Sequence, residues 1–267
     1  MNLVDVHCHL NSIEFKDDLD EVLERAKKVG LKAILVSGTN PPTNKQVLEM
    51  AKKYPIIKAS LGIYPTDALG MPPDEAGLLK HDGPIDLEQQ FQFIRKHLSQ
   101  VAAIGEVGMD FYWVDKEKTG QQQEENFRRI IRFCKEIKKP IVIHSRKAEE
   151  ECITILAEEI PSHEIPVIQH CFSGKKSLMS RAIELGHHFS IPPNIMRASN
   201  FETLVKKAPL AQILTETDSP WLSPFPGKKN EPAYVFESIK KIAEVKGISV
   251  AEAADQIWKN YERIFGS

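Results

Sequence analysis

Short apolar runs alternate along the whole chain with longer segments whose apolar residues recur at helical spacing. The short runs are rich in β-branched residues and apolar at consecutive positions, which is typical of strands buried on both faces. We predict eight such strands, at Leu3–Cys8, Ala33–Val36, Ile57–Gly62, Val101–Gly105, Ile141–His144, Val167–His170, His188–Ile191 and Gln212–Thr215. The helical spacing predicts helices at Leu19–Val29, Val47–Tyr54, Leu87–Leu98, Glu124–Ile137, Glu149–Glu159, Leu178–Leu185, Tyr234–Val245 and Val250–Trp258.

Strands separated by amphipathic helices predict a wholly parallel sheet of the α/β class. Eight units in 267 residues favour a (β/α)8 TIM barrel that forms a single domain over residues 1–267. A doubly wound sheet is the alternative, but it usually needs fewer strands. Three less regular segments follow strands, so in a barrel they lie at the C-terminal face, where catalytic loops belong: Pro65–Pro84, Phe111–Gly120 and Ser219–Pro232.

The composition is that of an ordinary globular protein, with 42% hydrophobic and 27% charged residues. The formal net charge of −2 excludes a protein that coats nucleic acid by bulk charge, although a locally basic cleft stays open. No apolar stretch approaches the length of a membrane span, and four cysteines without a CxxC pair indicate reduced thiols. We therefore expect a soluble, cytoplasmic protein without a membrane partner.

Six residues that can bind metal ions come at the ends of predicted strands. They are His7 and His9 in VDVHCH, Glu106 in AIGEVG, His144 in IVIHSR, His170 in VIQHCF and Asp218 in ILTETD. A single histidine after an apolar run is more often structural than a ligand, but four of the nine histidines share this placement with two carboxylates. Because strand ends meet around the mouth of a barrel, we predict that these side chains form a transition-metal site.

Four imidazoles and two carboxylates are too many for one tetrahedral ion that keeps an open position, but they suit two divalent ions. Glu106 is the natural bridge, because each of its two oxygens can bind a different cation. The predicted arrangement is His7, His9 and Asp218 around one ion, and His144 and His170 around the other. Such a pair activates a water molecule, and Asp218 can accept its proton, so Glu106 and Asp218 are the predicted catalytic residues.

Seven motifs are spread along the full length of the chain: DVHCHL at Asp5, AIGEVGMDFY at Ala103, PIVIHSR at Pro140, VIQHCFSG at Val167, LTETDSPWLSP at Leu214, KNEP at Lys229 and NYERIF at Asn260. Together they resemble the motifs of the TatD family of metal-dependent deoxyribonucleases, within the amidohydrolase-like barrels. Each motif alone is a weak signal, but their order and spacing are specific. The resemblance implies a (β/α)8 barrel, two divalent cations held by the six residues above, and hydrolysis of phosphodiester bonds in DNA.

The resemblance also implies residues that contact substrate. Arg146 in HSR and Ser173 in CFSG follow ligand positions and could meet a substrate phosphate. Lys229 and Asn230, after the eighth strand, could extend that surface, although a solvated loop charge is nearly as good an interpretation of Lys229. Glu216 is expected to support a metal ligand by a hydrogen bond on the side of that ligand that faces away from the ion.

One position departs from the family pattern. Where the family commonly has GxHP after the third strand, this chain has GIYP, with Tyr64 in place of histidine. Tyrosine is neutral and cannot take up a proton near pH 7. If that position contacts phosphate, the rate or substrate preference of this protein differs from that of its relatives.

The leading hypothesis is a metal-dependent hydrolase of ester bonds, a TatD-like DNase that trims single strands or ends. Single strands or ends are favoured because a chain with a net charge near zero attracts duplex DNA only weakly at long range. One alternative is a small-molecule amidohydrolase or esterase, or a deacylase of D-aminoacyl-tRNA, because the same centre activates water against carboxyl groups. An alternative of another class is a binding module with a structural metal site, which usually has only four ligands. The donor set accepts Zn, Mn, Fe, Co or Ni, and Mg where carboxylates dominate.

Overall fold

The computed structural model describes residues 1–73 and 77–266 of the chain. In this part, eight strands form one sheet in which each strand is parallel to the next in chain order. The strands are β1 (Leu3–Cys8), β2 (Leu31–Ser37), β3 (Ile57–Leu61), β4 (Val101–Gly108), β5 (Ile141–His144), β6 (Val167–Gln169), β7 (His188–Ile191) and β8 (Ile213–Thr215). The predicted wholly parallel sheet is confirmed, and β1, β5 and β7 have the predicted bounds.

The first and last strands close the sheet into a barrel through hydrogen bonds near their carboxyl ends. The backbone N–H of Asp218, just beyond β8, donates to the carbonyl of His7 at 2.9 Å, and the N–H of His9 donates to the carbonyl of Ser219 at 2.8 Å. The predicted (β/α)8 barrel is therefore confirmed. Closure brings the segment after β8 against the end of β1, although the two are far apart in the sequence.

Helices surround the barrel and follow its strands. In the described residues they are α1 (Leu19–Val29), α2 (Pro41–Lys53), α3 (Pro65–Ala68), α4 (Leu87–Lys96), α5 (Lys116–Ile137), α6 (Glu149–Glu159), α7 (Lys176–Glu184), α8 (Ser199–Lys207), α9 (Val235–Lys246) and α10 (Val250–Phe265). None of the helices in residues 1–73 and 77–266 has the length and apolar character needed to cross a membrane.

Several helices differ from the prediction: α3 and α8 lie where none was predicted, and α2, α5 and α10 extend well beyond their predicted bounds. Helix α8, between β7 and β8, was not predicted, because its short polar sequence buries only Phe201, Leu204 and Val205. Helix α5 begins two turns before its predicted start, where the residues are polar and show no apolar spacing. Its start is fixed instead by the side chain of Asp115, which accepts a hydrogen bond from the backbone N–H of Glu117 at 2.8 Å.

The core lies inside the barrel and between the barrel and its helices. Every residue of β1, β5, β6 and β8 is buried, and Val22, Leu23 and Ala26 of α1 are examples of the helix residues that pack outside the strands. Interiors packed in this way position strand ends rigidly. Side chains that extend from those ends are therefore held in place by the wall beneath them.

The three segments predicted to be irregular all begin beyond the carboxyl ends of strands. The first, Pro65–Pro84, contains the short helix α3, and its residues 74–76 lie outside the described residues. The second, Phe111–Gly120, is irregular only until α5 begins. The third, Ser219–Pro232, has no regular helix or strand before a 3-10 turn that starts at Pro232.

Candidate metal centre

His7 and His9 present the same ring nitrogen to one point. Their side chains lie on one side of the extended chain, and the two Nε2 atoms are 3.2 Å apart. Both Nε2 atoms lie 3.5 Å from Oε2 of Glu106, and they lie 3.6 and 3.5 Å from Oδ1 of Asp218. Ligand atoms at zinc-like distances around a tetrahedral ion are roughly 3.3 Å apart. Each of the two Nε2 atoms therefore lies at a ligand-like distance from the other and from one oxygen of each carboxylate.

The other carboxylate oxygen of Glu106 faces a second pair of histidines. Oε1 lies 2.6 Å from Nδ1 of His144 and 3.8 Å from Nε2 of His170. The sets His7–His9–Glu106 and Glu106–His144–His170 each have the geometry of a group that can hold a metal ion. Glu106 thus belongs to both groups and offers a different oxygen to each.

Each of the four histidines also has a partner at its second ring nitrogen. The pairs are His7 Nδ1 with Ser37 Oγ at 3.2 Å, His9 Nδ1 with the Ser37 carbonyl at 3.1 Å, His170 Nδ1 with Glu216 Oε2 at 2.7 Å, and His144 Nε2 with Asp110 Oδ2 at 2.7 Å. Such partners fix the orientation of histidines that bind metals and the nitrogen that faces the ion. The donor set and its surroundings fit divalent cations.

Glu216 occupies the supporting position that the family resemblance implied. It is fully buried, and its Oε2 accepts a hydrogen bond from the hydroxyl of Ser190 at 2.6 Å as well as facing His170. Its Oε1 accepts the backbone N–H of Cys171 at 2.8 Å. Glu216 therefore holds both the His170 ring and the backbone directly after it.

Asp110 is a site residue that the sequence pattern alone did not reveal. Its carboxylate contacts His144, and it is fully buried beside the centre. A signal for it exists in the sequence, because Asp110 directly follows the GEVGM segment that contains Glu106. A carboxylate within a motif that already carries a ligand is a natural candidate for the ligand's support.

The positions of the two candidate carboxylate ligands differ slightly from the prediction. Glu106 lies inside β4, which continues to Gly108, and Asp218 lies three residues beyond the end of β8. The backbone at Glu106 is packed so closely that a Cβ added to Gly62 would lie 2.4 Å from its nitrogen and 2.0 Å from the carbonyl of Gly38. Glycine at 62 is thus required for Glu106 to reach the centre from within its strand.

The electrostatics of the centre follow from burial and close contacts. Burial by itself lowers the pKa of an imidazole, but the neighbouring carboxylates outweigh it, so the pKa is raised to about 9 for His9 and His144 and to about 10 for His170. Burial by itself raises the pKa of the Glu106 carboxyl, but contacts with His144, His7 and His9 hold that pKa well below its ordinary value. A cation that binds here therefore displaces protons from the histidines.

The centre lies at the base of a pocket of about 450 Å³ at the C-terminal face. Three of the residues predicted to contact substrate, Tyr64, Arg146 and Ser173, line this pocket. The guanidinium of Arg146 stacks on the ring of Tyr112 at 3.6 Å and lies 5.7 Å from the ring of Trp113. The pocket therefore combines the candidate metal centre with an arginine whose orientation is restrained by an aromatic face.

Tyr64 is part of the hydrogen-bond network around His144. Its hydroxyl donates to Oδ2 of Asp110 at 2.9 Å and lies 3.2 Å from Nε2 of His144. The residue at this position therefore touches the carboxylate that orients a candidate ligand. This is a closer link to the centre than the sequence alone indicated.

Lys229 and Asn230, which were also predicted to contact substrate, do not line the pocket. Nζ of Lys229 lies 2.7 Å from Oδ1 of Asp18. Asn230 is fully buried, and its Nδ2 donates to the carbonyls of Thr217 and Trp221 at 2.7 and 2.6 Å. Both residues fix the loop that follows Asp218, so a direct contact with phosphate stays a prediction.

Comparisons with known proteins agree with this geometry. A family model described as TatD related DNase matches residues 4–266. The chain is 35% identical to an uncharacterized metal-dependent hydrolase, YabD, of Bacillus subtilis, with 98% of both chains covered. It is also 35% identical to the deoxyribonuclease TATDN3 of Homo sapiens, with 99% of this chain and 95% of that protein covered.

Solved structures show the same fold. YJJV, a TatD homolog from Escherichia coli K12, superimposes with a TM-score of 0.85 at 26% identity, covering 99% of this chain and 98% of that one. A TatD family hydrolase from Entamoeba histolytica gives a TM-score of 0.83 at 19% identity, covering 98% of this chain and 97% of that one. The second likeness supports the barrel fold alone.

Proposed function

The chain belongs to the TatD-related DNase family, and we propose on that basis that it is a divalent-metal-dependent deoxyribonuclease that hydrolyses phosphodiester bonds in DNA. The observation that carries the proposal is the division of Glu106 between two pairs of histidines, one oxygen to each pair. A carboxylate shared in this way is typical of centres that bind two cations.

We assign the ligands of the two cations from the distances. His7, His9 and Asp218 surround one position together with Oε2 of Glu106, and His144 and His170 surround the other together with Oε1. The mixture of imidazole and carboxylate accepts Zn, Mn, Fe, Co or Ni, with Mg less favoured because nitrogen donors predominate.

The protein's own residues have distinct roles in the proposed reaction. When bound, the cations act as Lewis acids and make water nucleophilic near neutral pH. Asp218 is placed to accept the proton of the attacking water, because its carboxylate reaches the centre and lines the pocket. Arg146 binds a non-bridging phosphate oxygen and holds the scissile group against the centre.

The alternatives predicted from the sequence are less well supported. A structural metal site would be closed by its ligands, whereas this centre opens into a pocket of about 450 Å³. An arginine in that pocket suits an anionic substrate better than an uncharged amide or ester. A relative with 35% identity, TATDN3 of Homo sapiens, is named as a deoxyribonuclease, which favours DNA over a charged tRNA.

The test is hydrolysis by metal-reconstituted protein of labelled single-stranded DNA, double-stranded DNA and an aminoacyl-tRNA ester. We expect DNA to be cleaved, and Glu106→Ala to lower the rate by several orders of magnitude because both cations lose a ligand. The matched control is Glu262→Ala, which removes an exposed carboxylate from α10. Glu106→Ala protein with full metal content and a normal rate would contradict the assignment, and cleavage of the tRNA ester alone would contradict the nuclease.

A further inference from the structure

Asp110 is held rigidly at the junction between β4 and the loop that leads to α5. It is fully buried, and its backbone N–H donates to Oε1 of Gln123 at 2.8 Å. Its backbone carbonyl accepts a hydrogen bond from Nε2 of the same glutamine at 2.9 Å. Because Gln123 belongs to α5, the helix fixes the backbone on both sides of the Asp110 Cα atom.

One carboxylate oxygen of Asp110 faces the candidate metal centre. Oδ2 lies 2.7 Å from Nε2 of His144, whose other nitrogen, Nδ1, lies 2.6 Å from Glu106. When Nδ1 binds a cation, Nε2 must carry the proton of the neutral ring. Oδ2 of Asp110 is then placed to accept a hydrogen bond from this N–H group. This contact sets the rotation of the ring and the nitrogen that the ring presents.

The other oxygen of Asp110 holds the loop that supports Arg146. Oδ1 accepts the backbone N–H groups of Tyr112 at 2.7 Å and of Trp113 at 2.9 Å. The ring of Tyr112 is the surface on which the Arg146 guanidinium stacks. The backbone N–H of Phe111 also donates to the carbonyl of Arg146 at 3.0 Å. Oδ1 therefore fixes the platform of the residue that is proposed to bind phosphate.

We propose that Asp110 is a positioning residue that couples the two halves of the active site, with one oxygen orienting His144 and the other holding the aromatic platform of Arg146. The inference rests on the proposed function, because it takes His144 as a metal ligand and Arg146 as a phosphate contact. A single rigid carboxylate then keeps the cations and the bound phosphate in a constant relative position. Catalysis depends on such a fixed arrangement, because small displacements of the reacting groups lower the rate.

Two substitutions separate the two contacts. Asp110→Asn keeps the volume and one oxygen. That oxygen is expected to stay with the two loop amides, because a backbone N–H can only donate, whereas the Tyr64 hydroxyl that now donates to Oδ2 can rotate and accept from the NH2 group. The NH2 group then faces the N–H of His144, so the contact with the metal ligand is lost. Asp110→Ala removes both contacts. Asp115→Asn is the matched control, because Asp115 lies in the same loop and asparagine caps a helix equally well.

The first readout is metal affinity, measured by competition between the protein and a chelator for Mn²⁺ or Zn²⁺. We expect Asp110→Asn and Asp110→Ala to weaken binding about 10- to 100-fold, as loss of such supporting contacts does elsewhere, and Asp115→Asn to leave it unchanged. Thermal unfolding in chelator confirms that each variant is folded. A folded Asp110→Asn protein with unchanged metal affinity would overturn the proposal.

The second readout is amide hydrogen exchange in peptides that cover Tyr112 and Trp113. We expect faster exchange in Asp110→Ala than in Asp110→Asn or wild type, and unchanged protection in Asp110→Ala would overturn the proposal. With DNA as substrate and saturating metal, Arg146→Ala should raise KM less in the Asp110→Ala background than in wild type. Metal affinity and exchange need no DNA, so they decide the role of Asp110 even if wild-type protein leaves DNA intact and the nuclease proposal fails.

Discussion

At the scale of single residues, the four histidines of the centre do not use the same ring nitrogen. His7 and His9 point Nε2 to the carboxylates, and His170 does the same, whereas His144 points Nδ1 to Glu106. The choice follows from the partner at the opposite nitrogen, which for His144 is Asp110. Replacement of His144 therefore disturbs two carboxylates at once.

The role of Arg146 can be tested by the charge of the substrate. Arg146→Ala should lower the efficiency towards a phosphodiester by about 100-fold and towards an uncharged ester by only a few-fold, because a guanidinium mainly serves an anionic oxygen. The measurement is kcat/KM for both substrates. Arg181→Ala, on the exposed face of α7, is the control. Equal losses on the two substrates would show that Arg146 is structural.

Tyr64 gives a prediction about pH. Its hydroxyl touches Asp110, and a histidine in its place would lie beside the same carboxylate, which favours the cationic imidazole. A cation added near the bound phosphate should help, and the carboxylate raises the pKa of that imidazole above its ordinary value of about 6.5, so Tyr64→His should raise kcat/KM on a phosphodiester several-fold more at pH 6 than at about pH 9.

The matched control for this comparison is Tyr64→Phe, which removes the hydroxyl without adding a titrating group. Its efficiency relative to wild type should be the same at both pH values. A ratio of Tyr64→His to wild type that does not change with pH would show that residue 64 acts by packing against the pocket wall.

At the scale of elements, the two ends of the barrel have different tasks. The carboxyl ends of the strands carry the candidate ligands, whereas the opposite end is tied together by structural contacts. Asn260 in α10 is fully buried, and its Nδ2 donates to the carbonyls of Leu210 and Ile213 at 2.8 Å each. These bonds join the last helix to the start of β8.

We predict that Asn260→Ala lowers the free energy of unfolding by about 2–4 kcal/mol, because one buried and one partly buried carbonyl lose their donor. The rate of hydrolysis per folded molecule should not change, since this end of the barrel is remote from the centre. Urea unfolding and a DNase assay at 25 °C are the measurements. Lys259→Ala, at an exposed neighbouring position, is the control, and an equal loss of stability there would refute the argument.

The elements that the sequence could predict are those whose burial dictates their pattern. Most strands carry runs of apolar residues because both faces are covered, so β1 and β5 could be bounded correctly from such runs. The bounds of β7 were also correct, although polar and apolar residues alternate in its sequence, HFSI. The start of α2 at Pro41 was missed because it depends on a capping box formed by Asn40 and Thr43 rather than on apolar spacing. Polar helix starts are set by local hydrogen bonds, which hydrophobic periodicity does not record.

At the scale of the whole molecule, closure of the barrel explains why the six candidate ligands could be predicted but, apart from Glu216, the residues that support them could not. Any residue at a carboxyl strand end reaches the mouth, so strand order alone gathers His7 and Asp218. The partner of each ring depends instead on side-chain directions between neighbouring strands. Ser37, for example, serves both His7 and His9 from β2, and no motif marks it.

The centre as a whole should exchange protons for cations. The pKa values of His9, His144 and His170 in the folded protein, about 9, 9 and 10, lie above the ordinary value of 6.5. Without bound metal, the stability that these histidines contribute is fully present below pH 6.5 and is lost as pH rises through 9 to 10. Thermal stability in chelator should therefore fall across this range.

Metal binding should reverse this dependence, because a ligand nitrogen must be deprotonated before it binds a cation. We predict that binding at pH 7.5 releases more than one proton per protein molecule, and that metal affinity rises as pH is raised from 6 to 9. Titration calorimetry in buffers of different ionisation enthalpy measures the release, and metal-loaded protein should lose less stability than metal-free protein between pH 7 and 10. Binding without proton release would show that the neighbouring carboxylates do not hold His9, His144 and His170 protonated at pH 7.5, and the raised pKa values of these three histidines would then be wrong.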